Sequence, residues 1–130
     1  MKKNEKPSHK RVMIIDDDED ISETLSKTLG PKYEVIGLSG GDAAQTLVES
    51  FAPDIILLDV NMPGPDGFAV CKAIRARAET RHIPVLFMTA RGDDESFIKS
   101  MAVGGDSYIT KPFDLTELRE RVDYLLSTAP

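Results

Sequence analysis

Cysteine is scarce in this sequence, and long hydrophobic runs are missing. Cys71 is the only cysteine, so no disulfide can form within the chain and a disulfide-stabilised secreted scaffold is excluded. No apolar stretch approaches the roughly 20 residues that span a bilayer, and no signal-peptide pattern is present. We therefore expect a cytoplasmic protein without a membrane partner.

Positive charge is also in deficit. The formal net charge is −6, which argues against direct nucleic-acid binding by this domain. The opening segment MKKNEKPSHKR is the exception, since it is short, polar and basic. We expect residues 1–10 to form a flexible tail, and a weak docking segment is the alternative.

The chain does contain enough apolar sequence for one core. Its 130 residues are 41% hydrophobic and 29% charged, which is typical of a single globular domain. Three runs, at residues 12–15, 55–58 and 85–88, are continuously apolar, as strands are when both faces of a parallel sheet are covered. Two weaker candidates, at residues 33–37 and 107–110, suit the edges of that sheet.

Helical spacing of apolar residues fills the intervals between these strands. The stripes are Ile21, Leu25 and Leu29; Ala44, Leu47, Val48 and Phe51; Phe68, Cys71 and Ile74; Phe97, Ile98, Met101 and Ala102; and Leu115, Leu118, Val122, Leu125 and Leu126. Asp114 followed by Glu117 resembles a capping box at the start of the last helix. The alternation predicts an α/β protein with a flavodoxin-like, doubly wound sheet of five parallel strands, order 2-1-3-4-5, and five helices.

Polar residues stand directly at the ends of the predicted strands. Asp16 and Asp17 follow the first strand, Asp59 the third, Thr89 the fourth and Lys111 the fifth. Ligands bind at the carboxyl ends of the strands in such folds. We therefore expect three carboxylates, a hydroxyl and an ammonium group to share one shallow pocket.

The acidic run in IIDDDED needs an explanation, because like charges repel. Two carboxylates about 4 Å apart repel by roughly 4 kcal/mol at an effective dielectric near 20. A cluster of oxygen ligands suits a hard cation such as Mg²⁺, so Asp16 and Asp17 predict a metal site. Asp18, Glu19 and Asp20 require only the favourable dipole at the start of a helix.

A metal beside Asp59, with Lys111 opposite, can neutralise a bound phosphoryl group. Carboxylates can act as nucleophiles that form acyl phosphates, and phosphoryl transfer depends mainly on positioning and charge stabilisation. Taken alone, each of these residues has an ordinary interpretation, such as a helix-start acid, a turn residue or a solvated lysine. Their convergence favours the functional interpretation.

Four segments resemble the motifs of response-regulator receiver domains: VMIIDDDEDI, IILLDVNMPGPDGF, VLFMTAR and SYITKPF. The resemblance covers residues 11–127, with the motifs in the family's order and spacing. Residues 128–130 are then a C-terminal end or the start of a linker. The resemblance implies a phosphorylation-activated switch of a two-component phosphorelay, not an enzyme with a separate substrate. The implied phosphoryl donor is a histidine kinase or a histidine phosphotransfer protein.

The resemblance also implies a role for each strand-end residue. Asp59 is the phosphoacceptor, and Thr89 and Lys111 contact the phosphoryl oxygens. The implied Mg²⁺ ligands are Asp16, Asp17, Asp59 and the backbone carbonyl of Asn61. Mn²⁺ or Ca²⁺ can replace the Mg²⁺ ion in crystals.

The resemblance also implies a conformational switch. Thr89 and Tyr108 are its implied residues, and they change the surface of the fourth helix, fifth strand and fifth helix. That surface would control an output domain or a downstream protein. The Lys111–Pro112 peptide bond is expected to be cis.

The sequence also bears on oligomeric state and output. Arg121 matches one charge of the dimer interface of many receivers attached to DNA-binding domains, but Ser107 and Phe97 break its other pairs. Phe97 instead suggests an apolar docking patch. We expect a monomer or a weak dimer, either as a single-domain regulator or as a receiver from a longer protein.

Three other functions fit the sequence less well. A flavin or nucleotide binder needs a loop rich in Gly, Ser or Thr after the first strand, where this chain has DDDED. A phosphatase with an aspartyl nucleophile needs an acid two residues after Asp59, where Asn61 stands. A receiver that only binds partners has no need of all five strand-end residues.

Cys71 fits a buried helix face, and neither His9 nor His82 has a catalytic partner.

Overall fold

Each apolar run forms a strand in the computed structural model, which describes residues 9–90 and 94–128. The strands are β1 (Arg11–Ile15), β2 (Glu34–Leu38), β3 (Ile55–Asp59), β4 (Val85–Ala90) and β5 (Ser107–Lys111). The helices are α1 (Glu19–Leu29), α2 (Ala44–Phe51), α3 (Gly67–Ala76), α4 (Asp94–Ala102) and α5 (Leu115–Thr128). Residues 1–8 of the predicted basic tail lie outside the described residues. Within the described ranges, no helix has both the length and the apolar character needed to cross a membrane.

The strands pair in parallel in the order β2-β1-β3-β4-β5, which confirms the predicted flavodoxin-like fold. Side chains along a strand alternate between its two faces, and both faces of this sheet are covered. Met13 and Ile15 of β1 pack with α2 and α3 on one face. Val12 and Ile14 pack with α1 and α5 on the other. This double coverage explains why the central strands are continuously apolar.

Several strand boundaries differ from those predicted. β3 continues to Asp59, β4 to Ala90 and β5 to Lys111, so three strands include residues that were expected to follow them. Tyr33 is predicted to begin the second strand, but it lies just before β2. Its ring is buried in the cluster formed with α1 and α5, and its hydroxyl donates a hydrogen bond to Asp123 of α5. Packing against α5, not strand pairing, therefore fixes this residue.

Three aspartates cap helices. Asp18 accepts hydrogen bonds from two N–H groups in the first turn of α1, at 3.0 and 3.4 Å. Asp66 caps α3 at 2.9 Å, and Asp114 accepts two bonds at the start of α5, at 2.7 and 3.0 Å. The carboxylate of Glu117, which the sequence pattern assigns to a capping box, forms an ion pair with Arg121 at 3.2 Å. Each aspartate cap contributes about 1 kcal/mol to helix stability.

α4 packs differently from its sequence pattern. Its apolar stripe is largely exposed, with Phe97, Ile98 and Met101 at 37%, 65% and 41%. The buried residue of the helix is Ser100, whose hydroxyl donates a hydrogen bond to the carbonyl of Phe97 at 2.7 Å. Ser100 is buried because the end of α4 lies close to β4. A Cβ on Gly105 would lie 2.7 Å from both the Phe87 ring and the Ser100 carbonyl. Small residues let the end of α4 approach β4, and the larger apolar side chains are left facing outward.

Gln45 of α2 generates a prediction about stability. Both polar atoms of its amide are buried, and neither has a hydrogen-bond partner among the described residues. An unsatisfied buried polar group lowers stability by about 1–3 kcal/mol, and methionine has nearly the same length without the polar atoms. We therefore expect Gln45→Met to raise the free energy of unfolding by roughly 1 kcal/mol in urea denaturation. Gln45→Glu is the matched control and should lower it, and a loss of stability in Gln45→Met would contradict this account.

Candidate functional site

The carboxyl edge of the sheet brings the predicted strand-end residues together. Asp59 is the last residue of β3, and its partner on β4 is Met88. Thr89 follows Met88, and the next residue, Ala90, is paired with Lys111 of β5. The parallel register therefore aligns these ends side by side, as the sequence pattern predicts.

Three carboxylates form an oxygen cluster at this edge. One carboxylate oxygen from each of Asp16, Asp17 and Asp59 lies within 4.8 Å of the other two. Asp16 and Asp59 are 1% and 6% exposed, respectively, whereas Asp17 faces solvent. Mg²⁺ prefers oxygen donors, takes one or two carboxylates and keeps several waters. A cluster that is buried on one side and open on the other fits this ion.

Lys111 joins two of these carboxylates. Its Nζ lies 2.8 Å from Asp16 and 3.3 Å from Asp59. Burial alone would lower the pKa of Lys111, but the hydrogen bond and charge of Asp16, and then those of Asp59, raise it above its usual value of 10.5. Lys111 therefore stays protonated and offers a fixed positive charge within the pocket. The peptide bond that follows, Lys111–Pro112, is cis, as expected.

Asp16 is held by the backbone as well as by Lys111. Its N–H donates a hydrogen bond to the carbonyl of Leu38 at 3.0 Å. Its Oδ1 accepts a bond from the N–H of Asp18 at 2.9 Å, while Oδ2 accepts from Lys111. The two carboxylate oxygens thus have different partners, and the orientation of the group is fixed. Asp18 itself caps α1, which separates the acidic run into pocket residues and helix-start residues.

Asp59 lies in a less favourable environment. Burial and the negative charge of Asp16 raise the pKa of Asp59 from its ordinary value of 3.8 to about 6. The ammonium group of Lys111 and a hydrogen bond from the backbone N–H of Asn61 lower it, but they do not cancel the rise. The negative charge of Asp59 is therefore only partly compensated within the chain, and an added cation would compensate it further.

The two residues predicted to form a switch lie at different distances from this cluster. Thr89 is 3% exposed and lies at the carboxyl edge, one residue after the β4 partner of Asp59. Tyr108 lies further from that edge, paired with Phe87. Its half-buried ring is 4.3 Å from the ring of Phe97 on α4, centroid to centroid. Tyr108 therefore connects β5 with α4 and does not itself belong to the carboxylate cluster.

One residue beside the site, Gly67, has no sequence-based role beyond its place in the IILLDVNMPGPDGF segment. Gly67 begins α3, and a Cβ on it would lie 2.3 Å from the carbonyl oxygen of Asp59. The helix therefore starts directly behind the last residue of β3. A glycine eight residues after a strand-end acid is the available signal, but many turns contain glycine, so the signal is not specific.

The comparison with known families agrees with this arrangement. The family model described as "Response regulator receiver domain" matches residues 12–123. This chain belongs to the response-regulator receiver domains. Its fold is the one expected for the family, with the acidic cluster at the carboxyl edge of the sheet.

Several characterised proteins are similar to this receiver domain. Over 117 residues it is 42% identical to the DNA-binding dual master transcriptional regulator RpaA of Synechocystis, covering 89% of this chain and 48% of that protein. Over 120 residues it is 33% identical to the phosphate regulon transcriptional regulatory protein PhoB of Rhizobium meliloti, covering 92% and 53%. The chain thus spans about half the length of these relatives. Among solved structures, the chemotaxis protein CheY4 of Vibrio cholerae matches with a TM-score of 0.85 at 29% identity, covering 91% of this chain and 99% of that one.

The raised pKa of Asp59 generates a pH-dependent prediction for the metal-free receiver domain. Because the folded state favours the protonated form, Asp59 reduces stability as pH rises from about 4 to 6, and the loss is constant above that range. We expect Asp59→Asn to increase the free energy of unfolding in EDTA by roughly 2 to 3 kcal/mol at pH 7.5. The gain should shrink as pH falls below 6. An equal gain at pH 4 and pH 7.5, measured by urea denaturation, would rule out this cause.

Proposed function

We propose that this receiver domain is a switch in a two-component phosphorelay. It accepts a phosphoryl group on Asp59 from the phosphohistidine of a histidine kinase or a histidine phosphotransfer protein. The changed domain then presents a different surface around α4, β5 and α5 to an output domain or a downstream protein. The observation that carries this proposal is the cluster of three carboxylates with Lys111 at the carboxyl edge of the sheet.

Asp59 is the nucleophile in the proposed chemical step. A carboxylate oxygen of Asp59 attacks phosphorus, a P–O bond forms, and the P–N bond to the donor histidine breaks. The imidazole nitrogen keeps the electron pair of that bond as it leaves. Lys111 lies 3.3 Å from Asp59, so its ammonium group can pair with a phosphoryl oxygen once the group has been transferred. The Thr89 hydroxyl can donate a hydrogen bond to another.

Mg²⁺ is the cofactor that this donor set fits. When bound, it would neutralise charge on the carboxylates and on the transferring phosphoryl group. Asp16, Asp17 and Asp59 would hold it through carboxylate oxygens, and Asn61 through its backbone carbonyl. The fixed orientation of Asp16, whose two oxygens accept separate hydrogen bonds, supports its assignment as a preformed ligand.

The proposed conformational switch begins with the negative charge of the phosphoryl group. Phosphorylation adds about −1.5 to −2 charges and new acceptor oxygens, so Thr89 is drawn toward the phosphoryl group. Ala90, the next residue, is small and exposed and leaves space for that group. Movement of Thr89 opens space into which Tyr108 rotates, and the contact of Tyr108 with Phe97 passes the change to α4. Two conformations whose populations shift in this way are sufficient for a signal.

The wider role of the domain follows from the same site. Stoichiometric uptake, without turnover of a separate substrate, is expected because Asn61 stands where aspartyl-nucleophile phosphatases have a second acid. Arg121 donates hydrogen bonds to the carbonyl of Tyr108 and the hydroxyl of Ser107 within the same chain. These bonds occupy the residue that could pair across a dimer, which supports a monomer or a weak dimer. We expect a cytoplasmic protein that does not itself contact DNA.

Phosphorylation of Asp59 is directly testable. In the presence of Mg²⁺ and acetyl phosphate, intact-mass analysis should show one added phosphoryl group on the wild-type chain and none on Asp59→Asn. Asp20→Asn is the matched control, because Asp20 belongs to the first turn of α1 and should still be labelled. Equal labelling of Asp59→Asn, or no labelling of the wild type, would overturn the proposed function.

The role of Thr89 gives a separate prediction. Thr89→Ala should still accept the phosphoryl group, since Asp59 and the metal site are intact, but it should not pass the change to Tyr108. Amide NMR spectra with and without a beryllofluoride mimic should therefore shift around Asp59 but not around Tyr108. Thr110→Ala, a change at the β5 partner of Thr89, is the control and should keep the wild-type shifts. A full wild-type response in Thr89→Ala would show that its hydroxyl is not the relay.

A further inference from the structure

Gly67, the first residue of α3, touches the backbone of Asp59. Its N–H donates a hydrogen bond to the carbonyl of Val60 at 3.0 Å. A Cβ on Gly67 would lie 2.3 Å from the carbonyl oxygen of Asp59 and 3.0 Å from its carbonyl carbon. In real proteins a Cβ essentially never lies closer than 3.0 Å to a heavy atom outside its own residue and its two chain neighbours. Any side chain at this position must therefore displace one of the two backbones.

The start of α3 is fixed on its own side, so it cannot easily move away. Asp66 caps the helix by accepting a hydrogen bond from the N–H of Ala69 at 2.9 Å. Phe68 is 8% exposed, and its ring packs against that of Phe87, 5.8 Å away between centroids. Val70 is also buried in the same core cluster. These anchors all lie within one turn of Gly67, in a core that is close-packed.

Asp59 is held on its other side by polar contacts at the pocket. The backbone N–H of Asn61 hydrogen-bonds to its carboxylate, and Lys111 lies 3.3 Å from it. The following residue, Val60, donates a hydrogen bond to the carbonyl of Met88 at 3.2 Å. Val60 is also buried, in the same core cluster as Phe68, so both backbones are constrained. Because α3 cannot easily move away, at least part of a displacement caused at Gly67 falls on the Asp59 carbonyl, and this changes the position of the Asp59 carboxylate.

We propose that Gly67 is a positioning residue for Asp59. Its missing side chain lets α3 begin against the end of β3, and this contact sets how far the Asp59 carboxylate projects into the pocket. The inference rests on the proposed function, because the position of the Asp59 carboxylate affects phosphoryl transfer only if Asp59 is the phosphoacceptor. Misplacement of a reacting group by about 1 Å can lower a rate on the order of 100-fold.

Two matched glycines provide controls for Gly67→Ala. Gly40 has open space around it, with no atom within 4 Å of an added Cβ, so Gly40→Ala tests the loss of a glycine alone. Gly104 has a φ of 103°, a backbone conformation that strains any side chain, and an added Cβ would meet Arg75 at 3.0 Å, at the opposite edge of the sheet. Gly104→Ala therefore tests a loss of stability that involves neither Asp59 nor the contact between Phe68 and Phe87.

The experiment measures three quantities for each variant with Mg²⁺ and acetyl phosphate at saturating concentrations. They are the phosphorylation rate constant, the melting temperature and the amide NMR shifts. We expect Gly67→Ala to phosphorylate about 10- to 100-fold more slowly than the wild type, with shifted amides at residues 59–61. Gly104→Ala should show a comparable fall in melting temperature, but it should keep the wild-type rate and the wild-type shifts at residues 59–61. Gly40→Ala should match the wild type in all three.

Each other outcome overturns the inference or the function on which it rests. A wild-type rate in Gly67→Ala would reject the positioning role while leaving the proposed function intact. An equally slow Gly104→Ala would mean that lost stability, and not position, controls the rate. A Gly67→Ala chain that fails to fold even when combined with Gln45→Met would make Gly67 a requirement for folding. An unlabelled wild type would reject the proposed function itself.

Discussion

The pairing of Lys111 with Asp16 and Asp59 is the interaction on which the site depends. Two carboxylates within 4.8 Å of each other repel by on the order of 3 kcal/mol at an effective dielectric near 20. A single ammonium group at 2.8 and 3.3 Å from them offsets much of that repulsion, but it cannot neutralise two negative charges, and Asp17 adds a third. The pocket therefore keeps a deficit of positive charge. We propose that a divalent cation compensates this deficit, as the proposed phosphoryl transfer requires.

The fold supports this unfavourable cluster by surrounding it with stable structure. β1, β3 and β4 are buried on both faces, and their register fixes the level at which each strand ends. The backbone then holds individual groups: Leu38 and Asp18 fix Asp16, and Gly67 lies directly behind Asp59. A destabilising group persists at a functional site only when its surroundings determine its position. Here the surroundings consist of a close-packed parallel sheet and the start of one helix.

The sequence predicts the sheet and the strand-end residues because both depend on short-range patterns. A continuous apolar run indicates a doubly covered strand, and a polar residue at its end falls on the carboxyl edge in any parallel α/β sheet. Other features depend on contacts between distant residues, which no local pattern reports. Tyr33 has the composition of a strand residue, but its hydroxyl bonds to Asp123, which lies 90 positions away. Gly67 looks like an ordinary turn glycine until α3 is placed against β3. Helical spacing groups Phe97, Ile98 and Met101 of α4 into one apolar stripe, yet Ser100 and Gly105 are the residues that fit closely against β4.

This last difference bears on how a local charge could alter a distant surface. α3 buries five residues, including Phe68 and Ile74, whereas α4 buries Ser100 alone and leaves three large apolar side chains exposed. Elements with few buried apolar contacts are the ones that reorganise at low free-energy cost. α4 also follows Thr89 and Ala90 in the chain and touches Tyr108 through Phe97, so it meets the proposed relay at two points. Its end remains attached where Gly105 packs on Phe87. A weakly buried helix that is anchored at its C-terminal end and linked to the site near its start can change its exposed face without disturbing the sheet beneath it.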